Sequence, residues 1–599
     1  MVNLYFEPFI IPFIVGVVVL FSVMWTKFIS WISALPQSDR RMMRSGIFSV
    51  ATVVGALWEA FRECLLHLKI GRVNGRLWYM HTSLAFGWFL LIAFGKAEAI
   101  LYLKTPVVPI YVDVFFRKYF PFAHVGAFGF IMDALLLFVL SGLVAAVVKR
   151  FRPSVYGMRR TTDHTLGDKL ALSALWCIFP LRLLAESFNS AIYDSGSFLT
   201  GSLGALWALL LPSRSLPYIN EVLWWCYSVS LGLFFVSVPI SRYLHIFAEI
   251  PLIFLRSFKV RASVRATTFT KLQRAACSRC GICIDPCQLS AEGISLDTQS
   301  VYLLRDERAK GATLAKADSC LMCGRCQSVC PVGIELDVIR TSVRHDRRKA
   351  TSSFDYGYLD TVHVPLATSK VGFFSGCMGR LTPSVAASMR AIAIRSGVDI
   401  WFIDEAEGIC CGRPQRMAGN LDAADRMRER NEELFVESGI DTLVTSCPIC
   451  LRTFREDYHL NGIRLLHHSQ FIAELMEQGR LDVERGAASF AYHDPCELGR
   501  GLGIYDEPRV VLGNIGRLEE VARSRDKALC CGGSLAHLGL DMAQRDRIAA
   551  GVCAEFEATG ADFIVTSCPM CKKSLSRSTE TRVIDIAEAV KMAVGVEEA

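Results

Sequence analysis

Cys277-Ser-Arg-Cys280-Gly-Ile-Cys283-Ile-Asp-Pro-Cys287 and Cys320-Leu-Met-Cys323-Gly-Arg-Cys326-Gln-Ser-Val-Cys330-Pro331 share one spacing, Cys-x2-Cys-x2-Cys-x3-Cys. Such a run wraps a short loop around an iron-sulfur cube, and in two-cluster ferredoxins the fourth cysteine of each run ligates the other cube. The expectation is two cubane [4Fe-4S] clusters, one on Cys277, Cys280, Cys283 and Cys330 and one on Cys320, Cys323, Cys326 and Cys287. The first run has Pro286 before its fourth cysteine and Gln288 after it, which loosens the local match without removing a ligand. One run alone would also suit zinc; two in the same register favour iron-sulfur.

A second pattern follows, and it occurs twice. Cys377, Cys410-Cys411-Gly412 and Cys447-Pro448-Ile449-Cys450 are echoed by Cys496, Cys530-Cys531-Gly532 and Cys568-Pro569-Met570-Cys571. The flanks repeat as well, Ile440-Asp-Thr-Leu-Val-Thr-Ser-Cys447 matching Ala561-Asp-Phe-Ile-Val-Thr-Ser-Cys568. An internal duplication of this kind predicts two lobes related by a pseudo-twofold axis. The bland alternative is ten buried cysteines in an α/β core, and adjacent double cysteines at matched positions fill a core poorly.

Each repeat reads as α/β. In the first, Val371-Gly-Phe-Phe is a strand delivering Cys377, Val398 to Ile403 is a strand before Cys410, and Thr442-Leu-Val-Thr delivers Cys447 after a charged helix over 421–438. Ligands at strand ends can converge on one edge of a sheet. The second repeat begins with Phe490-Ala-Tyr-His-Asp-Pro-Cys496, so His493 and Asp494 stand beside a ligand, either to handle protons or to make a structural hydrogen bond. Gly412 and Gly532 are expected to let the backbone approach a cluster, and Pro448 and Pro569 to stiffen the closing loop.

The repeated arrangement resembles the CCG domain of the catalytic subunit of heterodisulfide reductase and its relatives in glycolate, glycerol-3-phosphate and sulfur-metabolism oxidoreductases. That resemblance implies noncubane [4Fe-4S] clusters, one or two of them. The catalytic thiolates would then be Cys377, Cys410, Cys411, Cys447 and Cys450 in the first set and Cys496, Cys530, Cys531, Cys568 and Cys571 in the second.

At 599 residues and 52% hydrophobic content the chain is long enough for several domains and too apolar to be wholly soluble. The four cysteine runs use 18 of 22 cysteines, leaving Cys64, Cys177, Cys226 and Cys553 as small buried hydrophobes. Cluster thiolates imply assembly in a reducing compartment. The net charge of +7 is modest, and its Arg/Lys excess flanks apolar segments, a pattern that orients a membrane protein and gives no sign of nucleic acid binding.

Five apolar runs are expected to span a bilayer, over about 9–31, 78–103, 122–148, 166–189 and 220–247. The first lacks a cleavage site and is expected to be retained. Residues 47–70, with Glu59, Arg62, Glu63, His67 and Lys69, read as an interfacial helix. Basic clusters at Arg40, Arg41 and Arg44, at Lys149 to Arg152, and at Arg256 to Arg265 all fall on one side. This predicts a multi-pass protein of the inner (cytoplasmic) membrane, with its N-terminus outside and its iron-sulfur domains in the cytoplasm.

His81, near the inner start of the second span, and His245, near the inner end of the fifth, can meet on one haem iron. His164 reads as part of a watery loop and His67 as part of the surface helix. Arg76-Leu-Trp-Tyr-Met-His81, Lys149-Arg-Phe-Arg-Pro153 and Pro239-Ile-Ser-Arg-Tyr-Leu-His245 resemble the gamma subunit of respiratory nitrate reductase and its five-span cytochrome b relatives. That family commonly holds two haems. Here the distal ligand positions carry Leu91 and Tyr227, so the expectation is one haem b on the inner side. Quinone-site candidates are Arg182 and Glu186, for which an internal ion pair is an equal or better reading, and His124, which is more simply interfacial.

The expected fold is therefore a membrane all-α five-span bundle (1–255), an α-helical dicluster ferredoxin-like domain (256–340), a polar irregular linker (341–370) and a duplicated α/β CCG domain (371–480 and 481–599). Gly499-Arg-Gly-Leu-Gly503 directly follows a cysteine and does not sit in a dinucleotide-binding turn. The parts make an electron path between the quinone pool and a cytoplasmic redox partner, with the chemistry in the cofactors. The fusion resembles bacterial membrane-bound electron-transfer-flavoprotein:menaquinone oxidoreductases, which implies reduced flavoprotein as donor and menaquinone as substrate. Two alternatives stay open: quinol-driven cleavage of a disulfide or persulfide at the CCG clusters, and a relay subunit of a larger sulfur-metabolism complex.

Overall fold

The computed structural model describes residues 6–116, 126–265, 267–309, 311–348, 367–405, 408–535 and 538–595. The chain forms two compact units, Met1–Ile282 with Val329–Ile334, and Cys283–Ser328 with Glu335–Ala599.

In the first unit, five described helices are long and apolar enough to cross a membrane. They are α1 (Ile11–Ser33), α2 (Gly75–Leu103), α3 (Ala127–Phe151), α4 (Leu166–Tyr193) and α5 (Leu216–Ser237). On α1, Val18, Phe21 and Trp25 face outward, as lipid-facing side chains must when no water is there to exclude. Small residues let helices approach closely. A Cβ added at Gly16 of α1 would stand 2.7 Å from the Cα of Gly232 on α5.

Three features of this unit depart from the sequence reading. The fifth span does not continue to Phe247. It tightens through Val238–Ile240, breaks where Ser241 is extended (φ −105°, ψ −178°), and a new helix, His245–Ser257, begins with His245 itself. Pro239 inside the tightened turn and the Ser241 hydroxyl, which accepts from the Tyr243 N–H, fix the break. Residues 47–70 are not one helix: Val50–Ala60 runs into a widened turn at Phe61–Leu65 and then a short helix, Leu68–Val73, separated by His67 at φ +52°. Thr200–Leu210 is a further apolar helix, too short to span.

In the second unit, strands β1 (Val371–Phe374), β2 (Trp401–Phe402), β3 (Thr442–Thr445) and β4 (Arg464–His467) form a parallel sheet of order β2-β1-β3-β4. Strands β5 (Ser489–His493), β6 (Arg517–Glu519), β7 (Phe563–Thr566) and β8 (Val583–Asp585) repeat that order as β6-β5-β7-β8. Their apolar residues are buried on both faces, as parallel strands covered by helices require. Phe373, Val444 and Leu466 of the first sheet share one core with Phe490, Val565 and Ile584 of the second. The lobes are also joined by a fully buried contact, His468 Nε2 to Asp585 Oδ1 at 2.8 Å.

The start of the expected linker is a helix. Leu336–Arg348 continues through residues 341–348 because its polar side chains turn inward and find carbonyls. Arg344 donates to the Ala317 and Met417 carbonyls, and His345 Nδ1 lies 2.8 Å from the Gly419 carbonyl.

Candidate functional site

The strand order places the cysteines. In each sheet the chain leaves the first strand to one side and returns on the other, so the C-terminal ends of β1 and β3, and of β5 and β7, flank a topological switch point where crevices form. Cys377 follows β1, Cys410 and Cys411 follow β2, and Cys447 and Cys450 follow β3. Cys496, Cys530, Cys531, Cys568 and Cys571 take the same places in the second lobe.

The structure gathers each set of five. In the first, hydrogen bonds link the Cys377 and Cys410 thiols, Cys410 and Cys411, Cys411 and Cys450, and Cys450 and Cys447. In the second, they link Cys496 and Cys530, Cys530 and Cys531, Cys531 and Cys571, and Cys571 and Cys568. The shift has the same direction at the same position in both. A hydrogen bond from Cys410 holds Cys411 down at about 5, and one from Cys530 holds Cys531 well below the ordinary thiol value. Cys450 and Cys571 are pushed up by those same low thiols beside them. Thiols packed this tightly and buried this deeply cannot all ionise alone, and a cationic cluster that deprotonates its ligands outright resolves the conflict. A Cβ at Gly376 would stand 3.1 Å from the Cys450 sulfur, so the backbone before Cys377 closes on the set.

Of the dicluster cysteines, Cys287, Cys320, Cys323 and Cys326 lie together in the second unit, Cys320 and Cys323 acting electrostatically on both Cys287 and Cys326. Burial pushes Cys287 up to about 11, whereas a hydrogen bond with Cys530 holds Cys323 down at about 5. This set abuts the second CCG set. Cys323 and Cys530 are hydrogen-bonded, and Gln288 both accepts from the Cys530 N–H (2.7 Å) and donates to the Cys530 carbonyl (3.1 Å). Cys447 and Cys568, the leading cysteines of the closing pairs, interact across the two lobes.

Cys277, Cys280 and Cys330 are brought together in the first unit, and Cys283 follows Ile282 one residue beyond it. Asp168 seats the first thiol loop. It pairs with Arg279 at 2.6 Å, both side chains buried, and also accepts the Arg242 N–H at 2.6 Å and the Thr165 N–H at 3.0 Å. Arg256 Nη1 holds the loop of Cys330 through the Gly333 carbonyl at 3.2 Å. Among the described residues no group of three or more His, Cys, Asp or Glu is arranged to hold a single metal ion. A cubane's four thiolates bind four different irons and need no common point.

A cavity of about 440 Å³ in the first unit is lined by His67, His81, His164 and His245, by the aromatic walls Trp88, Phe179 and Phe234, and by Lys149, Arg150, Arg242 and Cys280. Nε2 of His81 is buried without a hydrogen-bond partner. Nδ1 of His245 lies 2.7 Å from the Arg242 carbonyl, which makes Nε2 the nitrogen with the lone pair. His67, expected on the surface, instead stacks on His81 with ring centroids 5.5 Å apart, its Nδ1 3.0 Å from the Leu65 carbonyl. Burial lowers the pKa of His67. His164, expected in a watery loop, also faces the cavity, and burial followed by Arg242 and Arg150 pushes it down to about 4. No sequence signal marks His67, because a histidine between two short helices takes its direction from the left-handed turn it occupies.

Other candidates have ordinary partners. Arg182 is buried and hydrogen-bonds Tyr227, with Glu186 and Asp113 close by, so this is an internal polar cluster. Leu91 and Tyr227 are each 2% exposed, and Tyr227 packs against Phe115 and Trp224. Asp494 is held by both Nη atoms of Arg509 at 2.8 Å, whereas His493 keeps a buried Nε2 without a hydrogen-bond partner. Gly412 and Gly532 have a local steric reason to be glycine. At φ +79° and +75° they turn the loop onto the following helix, where a Cβ would meet the Ala424 carbonyl at 3.1 Å and the Arg545 carbonyl at 2.8 Å. His124 lies outside the described residues.

Comparison with known proteins agrees with this layout. A cysteine-rich (CCG) domain matches residues 371–455 and 490–576, and a 4Fe-4S dicluster domain matches residues 273–334. One of the subunits of a fumarate reductase (CoM/CoB) from Methanothermobacter marburgensis is 27% identical over 53% of this chain and 72% of its own length. One of the subunits of a dihydromethanophenazine:CoB-CoM heterodisulfide reductase from Methanosarcina barkeri is 28% identical over 46% of this chain and 78% of its own. An EtfAB:quinone oxidoreductase from Syntrophomonas wolfei is 27% identical over 33% of this chain and 30% of its own. Five membrane-compatible helices fused to a 4Fe-4S dicluster domain and a duplicated CCG region make this chain an iron-sulfur oxidoreductase of the membrane.

Proposed function

We propose that the chain passes electrons between a cytoplasmic redox partner, reduced electron-transfer flavoprotein in the first instance, and menaquinone in the inner membrane. The observation that carries this reading is that His81, His245 and Cys280 line one cavity of the membrane unit. His81 and His245 would hold one haem b there, and Lys149, Arg150 and Arg242, which line the same cavity, would supply positive charge for its carboxylates. Cys277, Cys280, Cys283 and Cys330 hold one cubane, Cys287, Cys320, Cys323 and Cys326 the other, and the two CCG sets hold noncubane clusters. These groups supply one-electron relays; the protein supplies ligation, insulation and order. An EtfAB:quinone oxidoreductase among the relatives supports the choice of partner.

The test uses anaerobically purified protein and follows the b-type absorbance on mixing with electron-transfer flavoprotein kept reduced by an acyl-CoA dehydrogenase and its substrate. Reduction, reversed by a menaquinone analogue, is expected. A haem that dithionite reduces and a matched flavoprotein does not would point to the second reading. In His81→Ala or His245→Ala membranes the b-type absorbance should vanish, while Tyr227→Ala keeps it; retained absorbance in the first two removes the ligand assignment.

The second reading is quinol-driven cleavage of a disulfide or persulfide at the CCG sets. It is favoured by the completeness of both five-cysteine sets and by the heterodisulfide reductase among the relatives.

A further inference from the structure

Among the described residues of the second unit, Arg500 stands out because it touches three cysteine-bearing segments at once. It leaves the short helix Gly499–Leu502 four positions after Cys496. Its Nε donates to the Cys323 carbonyl at 2.7 Å, and its Nη1 to the carbonyls of Ala528 (2.7 Å) and Asp526 (3.2 Å), on the approach to Cys530. The strongest electrostatic influences on it are Cys323, Cys496, Cys530 and the Tyr505 hydroxyl, ahead of the carboxylates Asp337, Glu497 and Asp526 that line the same cavity. Nη2 is buried without a partner, and Arg500 is among the residues that line a cavity of about 190 Å³ with Cys323 and Cys496. The glycine-rich stretch around it makes the room: a Cβ at Gly501 would come within 3.1 Å of the Arg452 side chain that lines the same cavity. Among the described residues the first lobe has no equivalent. Its Gly379-Arg380 turns outward, Arg380 donating to the Glu405 carbonyl at 3.1 Å.

We propose that Arg500 is a positioning residue that sets the reduction potentials of two neighbouring iron-sulfur centres together, the one on Cys320, Cys323, Cys326 and Cys287 and the one on the second CCG set. The proposal rests on the ligand assignment above. A guanidinium is always charged, and away from water its field is weakly screened. Each centre gains negative charge when it takes up an electron, so a fixed positive charge between them stabilises both reduced forms. The carbonyl contacts hold that charge at a fixed place while clipping the two backbones together. The pair is thereby matched for exchange with each other, and the first CCG set is left outside the influence of Arg500.

The test is an anaerobic redox titration followed by electron paramagnetic resonance on the full-length protein. Cys323→Ser and Cys496→Ser first identify the two signals; if neither change removes a signal, the ligand assignment beneath the proposal is overturned. Arg500→Gln should move both identified potentials downward and leave the first-lobe signal in place, while Arg500→Lys stays near the wild-type values. Gln327→Glu, which adds a negative charge to the same cavity without touching any Arg500 contact, should move the same two signals downward by less. Unmoved potentials in Arg500→Gln at wild-type iron content, or an equal shift of every signal, would overturn the role of Arg500. If Arg500→Gln loses iron, Gln327→Glu decides, and unmoved potentials there overturn it as well.

Discussion

The two CCG lobes have the same strand order and the same cysteine spacing, yet they hold their double cysteines by different means. In the first lobe Asn431, from the helix Leu421–Glu437 of the same lobe, donates to the Cys410 carbonyl at 2.9 Å, and the Tyr458 hydroxyl donates to the Cys411 carbonyl at 3.2 Å. In the second, the equivalent Cys530 carbonyl and N–H are taken by Gln288, from the dicluster segment. Cys377 is exposed, whereas Cys496 is half-buried and shares a cavity with Cys323. A duplicated domain thus has two different surroundings around one cysteine pattern. The second lobe is tied to the dicluster segment through Gln288 and Cys323, whereas the first keeps Cys411, Cys447 and Cys450 buried and exposes only Cys377.

The largest effect should come from breaking one set at the second cysteine of its adjacent pair. With electrons supplied from the quinol side, Cys531→Ser should abolish the second-lobe signal and leave the first lobe unreduced. Cys411→Ser should abolish the first-lobe signal while the second lobe still reduces. Freeze-quenched paramagnetic resonance reads both; a first lobe that reduces normally in Cys531→Ser reverses the order of the lobes. Next in size is the change of anchors. Gln288→Leu strands two buried backbone groups at Cys530, at about 1–3 kcal/mol for each group left unpaired. It should lower the unfolding temperature and bleach second-lobe absorbance first. Asn431→Leu should do the same in the first lobe, and bleaching of the same lobe by both changes would show the anchors are not separate. The smallest effect separates the glycines. Either Gly412→Ala or Gly532→Ala puts a side chain into a left-handed turn at about 1–2 kcal/mol. Gly532→Ala should cost more, because its Cβ meets the Arg545 carbonyl at 2.8 Å, against 3.1 Å for Gly412 at Ala424. Denaturant midpoints measure the difference, and equal midpoints would show the two turns are equally tight.

Much of this is legible in the sequence because its signals are local. Twenty apolar residues announce a helix that crosses a bilayer whatever surrounds them, and the cysteine spacings and the repeat of Val-Thr-Ser-Cys announce two sheets with ligands at their strand ends. The illegible parts depend on contacts between distant residues. The later half of Leu336–Arg348 reads as the beginning of a polar linker, since nothing in its own sequence says that Arg340 and Arg344 will be buried against the carbonyls of residues 316 to 318. Helical periodicity puts His67 on the surface only if it is carried through a position where the chain takes φ +52°. The asymmetry of the lobes is invisible in the motifs because it lies in Gln288 and Arg500, which belong to neither cysteine pattern.

Asp168 has a consequence for the thiol loop it seats. One carboxylate accepts from Thr165 at the start of a membrane helix, from Arg242 three residues before His245, and from Arg279 between two cluster cysteines. The seat for Cys277 and Cys280 therefore does not exist until the ends of two membrane helices have come together. The loop around Arg279 is thus tied by one carboxylate to the ends of two apolar helices, and a change that parts those helices is felt at its thiols.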